Sequence, residues 1–284
     1  MDAAAASAPG QPTSISDGER YRSACARAAR DDDAFARFRR IDAFLEIVEP
    51  PSLSQAGGRP DSAIDAEEYA AHVRAIDAYR PLLDRFRAND EIGAPVVETF
   101  DGLGAFNIYT LRYIKILWDL ERLFGSLDGM RIFEIGGGYG GQCAIIARRF
   151  TPAQYDILDL PEAGELARRY LAVSGVGAAR CLSDPSALEA RYDLFISNYA
   201  VSELEDGLRA SYLSTLLPRC ARGYMLWNRM SLDVAQFNMT QPEAVGRFRE
   251  EMMPLFKRLR NPRIASELVA ADDAKRGNVI VAWG

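Results

Sequence analysis

The 284-residue sequence has few of the residues that mark several common classes of protein. It contains one histidine, His72, and four cysteines with no C-x-x-C pair, so a zinc or iron site of the usual kind is not expected. Lys and Arg number 34 against 40 Asp and Glu, and this net charge of -6 gives no basic footprint for nucleic acid. No apolar run is long enough to cross a bilayer.

The cysteines and the first residues bear on localisation. Cys25, Cys143, Cys181 and Cys220 are widely separated, which is typical of a reduced cytosolic protein with buried thiols. Residues 1–15 are rich in Ala, Ser, Pro and Gly and lack a basic start, so we interpret them as a disordered tail rather than a signal peptide. We therefore expect a cytoplasmic protein with no nucleic-acid and no membrane partner.

The most informative stretch is Arg131-Ile-Phe-Glu-Ile-Gly-Gly-Gly-Tyr-Gly-Gly-Gln142, an apolar run followed by glycines. The run predicts a strand, and the helical spacing of apolar residues after it predicts a helix. Strand, tight turn and helix form the opening unit of a nucleotide-binding α/β sheet. Glycine suits such a turn because it permits positive φ and lets a ligand approach the bare backbone.

Two nucleotide patterns overlap in these glycines. Gly136, Gly138 and Gly141 fit the G-x-G-x-x-G dinucleotide pattern. Glu134 with Gly136, Gly138 and Gly140 fits the E-x-G-x-G-x-G pattern of methyltransferases that use S-adenosylmethionine (SAM). A pyrophosphate prefers helix amides without a carboxylate nearby, whereas SAM carries a sulfonium and an α-ammonium and no phosphate. Glu134 therefore favours SAM, although a turn that merely tightens a strand–helix corner stays an alternative.

The rest of the chain divides into two regions. Residues 16–125 are predicted to be mainly helical, with helices over 21–30, 33–48, 64–86 and 109–124. In residues 126–284, strands are predicted over 132–135, 155–159, 179–182, 192–197, 223–227, 264–270 and 278–282. The first five, joined by helices, indicate a parallel sheet, and the last two indicate a hairpin. The expected fold is α/β, a seven-stranded Rossmann-like sheet with an antiparallel last strand behind a helical N-terminal region.

Four stretches carry a resemblance to class I SAM-dependent methyltransferases, and in particular to the sugar O-methyltransferase family. They are Phe133–Gln142, Asp159–Pro161, Ser197-Asn-Tyr-Ala-Val-Ser-Glu-Leu204 and Thr110-Leu-Arg-Tyr-Ile-Lys115. The resemblance implies methyl transfer from SAM to a hydroxyl of a sugar or sugar-containing small molecule, with S-adenosylhomocysteine as product. It also implies cofactor contacts from the turn residues Glu134, Gly136, Gly137, Gly138, Tyr139 and Gly140. The region before residue 100 resembles no family.

Further cofactor residues are expected where strands end, because ligands of a doubly wound sheet bind at the carboxyl ends of its strands. Asp159, followed by Leu160, ends the second strand and is predicted to accept the ribose hydroxyls, with a helix N-cap as the alternative. Ser183 and Asp184 follow the third strand at the adenine position, although Asp-Pro is also a turn signal. Asn198 follows the fourth strand and is expected near the methionine part of SAM.

Methyl transfer to an alcohol calls for a general base within hydrogen-bond reach of the hydroxyl. Glu203 lies one helical turn past Asn198 and is our first candidate. The second is His72, in a charged helix of the N-terminal region; nothing in the sequence brings it to the sheet, and a surface histidine is the simpler interpretation.

Five other side chains are candidates for the acceptor pocket, and each could equally be a packing residue. They are Tyr109, Arg112, Tyr199, Trp227 and Asn228.

Three classes of function stay open on the sequence. The first is a methyltransferase, acting on a sugar hydroxyl or on a hydroxyl, carboxylate or nitrogen of another small natural product. The second is an NAD-binding oxidoreductase, against which stand Glu134 and the lack of a Tyr-x-x-x-Lys set beside the fourth or fifth strand. The third is a non-catalytic SAM-fold binding module. No acidic spacing singles out a magnesium site, and a homodimer through the N-terminal helices is one expected assembly.

Overall fold

The computed structural model describes residues 18–40, 62–177, 179–228, 240–267 and 278–284. The predicted tail over residues 1–15 lies outside these ranges. So does the part of the predicted helix 33–48 that follows residue 40, and so do residues 268–270 of the predicted sixth strand.

Five helices of the described ranges precede the sheet. They are α1 (Glu19–Ala28), α2 (Asp32–Arg40), α3 (Ser62–Arg74), α4 (Leu83–Arg87) and α5 (Ile108–Phe124). The single helix predicted over 64–86 was wrong, because α3 ends at Arg74 and a 3₁₀ turn, Asp77–Leu82, separates it from α4. That turn contains Pro81, which has no N–H to donate and disfavours a continuous α-helix.

A short hairpin that the sequence did not predict lies between α4 and α5. Its strands are β1 (Glu98–Phe100) and β2 (Gly104–Phe106), which pair antiparallel. Three residues are too few to show the alternation by which a strand is recognised.

The central sheet has seven strands. They are β3 (Arg131–Ile135), β4 (Gln154–Leu158), β5 (Ala179–Leu182), β6 (Tyr192–Asn198), β7 (Cys220–Trp227), β8 (Arg263–Ser266) and β9 (Val279–Trp283). Their order is β5-β4-β3-β6-β7-β9-β8. The five strands β3 to β7 run parallel, while β9 is antiparallel to β7 and to β8. The predicted seven-stranded sheet with an antiparallel last strand is confirmed.

Helices cover both faces of the sheet. The crossovers are α6 (Gly141–Arg149), α7 (Pro161–Val173), α8 (Ala200–Glu203), α9 (Asp206–Thr215) and α10 (Gln241–Phe256). One apolar core lies on the face covered by α5, α6 and α7, and a second lies under α9 and α10. The strand order reverses beside β3, whose neighbours are β4 and β6, and this reversal opens a crevice at the carboxyl ends of the strands.

The N-terminal helices pack directly on the sheet domain. The first core is continuous from Tyr21 of α1 to Ile280 of β9. Arg22 of α1 also pairs with Glu162 at the start of α7, at 2.9 Å. The N-terminal helices therefore sit beside the crevice and share its supporting core. None of the helices in the described ranges is long and apolar enough to cross a membrane.

Candidate active site

The glycine turn between β3 and α6 depends on close approach as well as on positive φ. Gly136, Gly138 and Gly140 have φ of 76°, 54° and 92°. A Cβ on Gly136 would lie 2.0 Å from the Cβ of Ala200, so only glycine allows the turn to pass over α8. At Gly138 a Cβ would meet nothing within 4 Å. The turn is therefore held against the protein at Gly136 and presents bare backbone to open space at Gly138.

Asp159, directly after β4, is bound to this turn. Its Oδ2 accepts a hydrogen bond from the backbone N–H of Gly138 at 2.8 Å, and its Oδ1 accepts from the N–H of Leu160 at 2.8 Å. Burial raises the pKa of Asp159 to about 6, although both hydrogen bonds lower it. Each oxygen keeps a second lone pair, so the predicted contact with ribose hydroxyls stays available.

Glu134 lies beneath the turn rather than on an open wall of the crevice. Glu134 is 1% exposed, and its Oε2 accepts a hydrogen bond from the hydroxyl of Tyr155 at 2.8 Å. Burial, and secondarily the charge of Asp159, raises the pKa of Glu134 to about 7. Both acids at the turn therefore hold their protons to a higher pH than an exposed carboxyl does.

The residues after β5 are exposed and form a turn. Asp184 caps the 3₁₀ helix Pro185–Ala187, accepting from the N–H of Ser186 at 2.8 Å and from its hydroxyl at 2.6 Å. These bonds lower the pKa of Asp184. Ser183 and Asp184 do lie at the expected edge, since the N–H of Asp159 donates to the carbonyl of Leu182 at 3.0 Å. Their contact with adenine stays a prediction.

Asn198 brings an unused acceptor to the crevice. Its Nδ2 lies 3.5 Å from Oε1 of Gln142, in the first turn of α6. Its Oδ1 is buried and has no hydrogen-bond partner among the described residues. Because a buried acceptor without a donor is costly, this oxygen is suited to a ligand that supplies an N–H group.

Tyr199, the residue after Asn198, has a strained backbone. Tyr199 has φ of 69°, which is uncommon for a residue with a side chain. Its ring lies over the guanidinium of Arg112, with the Cζ atom 5.3 Å from the ring centroid. The rings of Tyr109 and Tyr113, from the same helix as Arg112, lie at 4.9 and 5.7 Å. The predicted residues Tyr109, Arg112 and Tyr199 thus form one cluster.

Glu267, directly after β8, is a residue of this cluster that the sequence analysis missed. Its Oε1 accepts hydrogen bonds from the hydroxyl of Tyr69 at 2.5 Å and from that of Tyr199 at 2.6 Å. Its Oε2 accepts from Asn278 at 3.3 Å, and the residue is 3% exposed. Glu267 therefore ties helix α3 and the loop after β6 to the terminal hairpin.

Glu203, the predicted general base, ends α8 in the same region. Its Oε1 accepts a hydrogen bond from Nδ2 of Asn228 at 2.8 Å, and the Oδ1 of Asn228 accepts from Ser202 at 2.6 Å. Burial raises the pKa of Glu203, whereas the bond from Asn228 and the charge of Arg112 lower it. A carboxylate with a raised pKa and a fixed orientation is suited to accept a proton.

Two of the predicted residues have other surroundings. Trp227 is fully buried in the second core, where its ring centroid is 5.8 Å from that of Phe248 and 5.9 Å from Cζ of Arg209. These are packing contacts. His72 is partly exposed on α3, three residues after Tyr69. In the described ranges, no group of three or more His, Cys, Asp or Glu side chains is placed to hold a metal ion.

The similarity of this chain to known proteins is a similarity of fold. No family model and no curated protein matches the sequence. Among solved structures, the chain is similar to a proposed O-methyltransferase from Klebsiella pneumoniae, with a TM-score of 0.48 and 19% identity over 78% of this chain and 98% of that one. It is also similar to a proposed SAM-dependent methyltransferase from Methanococcus maripaludis (TM-score 0.46, 18% identity, 61% and 84% covered). A proposed RNA methyltransferase from Pyrococcus horikoshii gives a TM-score of 0.41 at 15% identity, with 61% and 82% covered.

Proposed function

We propose that this protein is a SAM-dependent O-methyltransferase that acts on a hydroxyl of a small-molecule acceptor, with a sugar as the acceptor that the sequence resemblance implies. The observation that supports it most is the carboxylate of Glu134, which is buried beneath the glycine turn and accepts from Tyr155 at 2.8 Å. The hydrogen bond from Gly138 to Asp159, also at 2.8 Å, positions an acid for an adenosyl ribose, which SAM and NAD share. A diphosphate at this turn would lie close to the carboxylate of Glu134. A cationic adenosyl cofactor has no such conflict.

The residues at the turn fit SAM in three respects. Gly138 leaves backbone open to a ligand, Asp159 keeps lone pairs for ribose hydroxyls, and the unpartnered Oδ1 of Asn198 matches the α-ammonium group. When bound there, SAM supplies an electrophilic methyl group, so the protein needs to provide alignment, desolvation and a proton acceptor.

Glu203 supplies the proton acceptor in this proposal. The carboxylate of Glu203 would take the proton of the acceptor hydroxyl, while bound SAM would supply the methyl group and leave as S-adenosylhomocysteine. Asn228 fixes the orientation of the carboxylate through the 2.8 Å hydrogen bond. The side chain of Glu203 is itself removed from water, and burial strengthens its electrostatic interactions.

The experiment is incubation of the protein with SAM and a small-molecule extract of its own host. We expect S-adenosylhomocysteine to form together with a product heavier than its precursor by one methylene unit, which identifies the acceptor. Binding of SAM without any turnover would instead support a non-catalytic module. Transfer to a carboxylate or a nitrogen would keep the methyltransferase and correct the acceptor group.

A further inference from the structure

Among the described residues, two arginines, Arg112 and Arg148, have a buried Nε without a hydrogen-bond partner. Arg112 is the one that lies in the tyrosine cluster. Its Nε is buried and has no hydrogen-bond partner, and its contacts in the described part of the chain are with tyrosine ring faces. By contrast, Arg39 donates to the carbonyls of Asn89 and Ile92, at 2.9 and 3.1 Å. Arg209 pairs with Glu251 at 2.8 Å.

Ring faces do not satisfy a guanidinium. They attract its charge from above and below, but its five N–H donors lie in its plane. A buried donor left without an acceptor costs about 1–3 kcal/mol. Arg112 therefore keeps a planar fork of donors for which the described part of the chain supplies no acceptor.

Two acids in the same region as Arg112, Glu203 and Glu267, bind other donors. Glu203 accepts from Asn228 at 2.8 Å, and Glu267 accepts from Tyr69 and Tyr199 at 2.5 and 2.6 Å. Each carboxylate is thus held by a neutral donor beside a cation that it does not pair with. Among the described residues, this arrangement leaves the guanidinium without an anionic partner.

We propose that Arg112 binds a carboxylate of a bound ligand at the end of the crevice where the reaction takes place. A carboxylate matches the planar fork through two parallel hydrogen bonds, which an ammonium or a neutral hydroxyl cannot make. Two ligands can bring this group: the methionine part of the cofactor, or an acceptor that carries an acid beside its hydroxyl. The inference rests on the proposed function in taking the crevice as a SAM site.

The experiment compares Arg112→Met and Arg112→Lys with the wild type by calorimetric titration. The control is Arg122→Met, at an exposed position of the same helix. The first probes are S-adenosylhomocysteine and 5′-methylthioadenosine, which lacks the amino-acid carboxylate. If the cofactor supplies the carboxylate, Arg112→Met lowers affinity for the former about 10- to 100-fold and leaves the latter unchanged.

The second pair of probes is glucuronate and glucose, titrated into protein saturated with S-adenosylhomocysteine. If the acceptor supplies the carboxylate, Arg112→Met keeps its affinity for the cofactor product and loses glucuronate binding that the wild type and Arg122→Met show. Arg112→Lys keeps the charge without the fork and should recover part of either loss, and its melting temperature checks folding.

Two results would count against these ideas, and they can be told apart. If the wild type binds S-adenosylhomocysteine and neither variant at Arg112 changes any of the four titrations, the carboxylate site is overturned while the proposed function stands. If the wild type binds no S-adenosylhomocysteine at all, the proposed function fails, and this inference fails with it.

Discussion

The two sides of the crevice are built in opposite ways. The proposed cofactor side, residues 134–142 with Asp159, is local and uses backbone, since Asp159 follows the adjacent strand and binds the glycine turn. The proposed acceptor side (Tyr69, Arg112, Tyr199, Glu203 and Glu267) is assembled from side chains far apart in the sequence. Tyr69 and Tyr199 meet at Glu267 across 198 and 68 positions. The backbone geometry of a glycine turn can therefore be predicted from a short motif, whereas the contacts of the proposed acceptor side depend on tertiary packing.

Their electrostatics differ as well. The cofactor side holds two acids, Glu134 and Asp159, with pKa values raised to about 7 and about 6. The acceptor side holds a cation, Arg112, beside Glu203 and Glu267. Substitutions on each side should therefore affect different steps, and the following predictions test that separation.

The largest effect is expected for Glu203→Gln. Loss of the general base should lower turnover by about 100-fold or more, because a positioned base contributes that much, while SAM affinity stays unchanged. In the wild type, the rate should rise with pH through a value above the ordinary 4.5 of a glutamate, because the base acts when deprotonated. The measurement is S-adenosylhomocysteine formation against pH. An unaltered rate would remove Glu203 as base and raise His72 in its place.

The next effect is expected for Asp159→Ala, on the cofactor side. Loss of its charge-assisted hydrogen bonds should weaken SAM binding by about 1–3 kcal/mol. Calorimetric titration measures this affinity. Unchanged affinity would mean that the ribose lies elsewhere, and a change confined to acceptor binding would break the separation of the two sides.

Glu134→Gln should act on stability with a defined sign. The folded-state pKa of about 7 lies above the ordinary 4.5, so the folded protein binds more protons between these values. The free energy of unfolding of the wild type therefore falls as pH rises through this window. Glutamine does not ionise, so the variant should be more stable than the wild type above pH 7, on the order of 1–3 kcal/mol, and similar below pH 4.5.

Denaturant titration at several pH values measures this difference. If Glu134 also attracts the cofactor, SAM affinity should fall in the same variant whose stability rises. Equal stability of variant and wild type at every pH would show that the glutamate is not destabilised by burial.

The smallest effect is expected for Asp184→Ala. Both of its oxygens are bound to Ser186, so SAM affinity should change by less than about threefold. Loss of the cap should lower stability slightly. A loss of affinity as large as that of Asp159→Ala would instead support the predicted contact with adenine.

The sequence predicted the parts of this structure that depend on local patterns. The glycine motif and the alternation of strands and helices were enough for the sheet, its antiparallel last strand and the crevice. The break at Pro81 should also have been predictable, because proline disrupts a helix interior. Successive residues of a strand point to opposite faces of the sheet, so Leu226 and Trp227 of β7 pack in different cores. This difference could be predicted from the sequence.

Other features had no local signal. Glu267 belongs to no motif, and its role comes from two tyrosines brought together by the fold. Likewise, the pattern that contains Glu134 does not show that its carboxylate is buried against Tyr155. Distances between segments this far apart are set by packing, which the order of residues in a motif does not give.

We propose that the carboxylate of Glu134, buried beneath the glycine turn, makes this crevice select a cationic adenosyl cofactor over a dinucleotide. Parallel calorimetric titrations of the wild-type protein with SAM and with NAD test it most directly. We expect the protein to bind SAM and to show no measurable binding of NAD. Tight binding of NAD with no signal for SAM would contradict it.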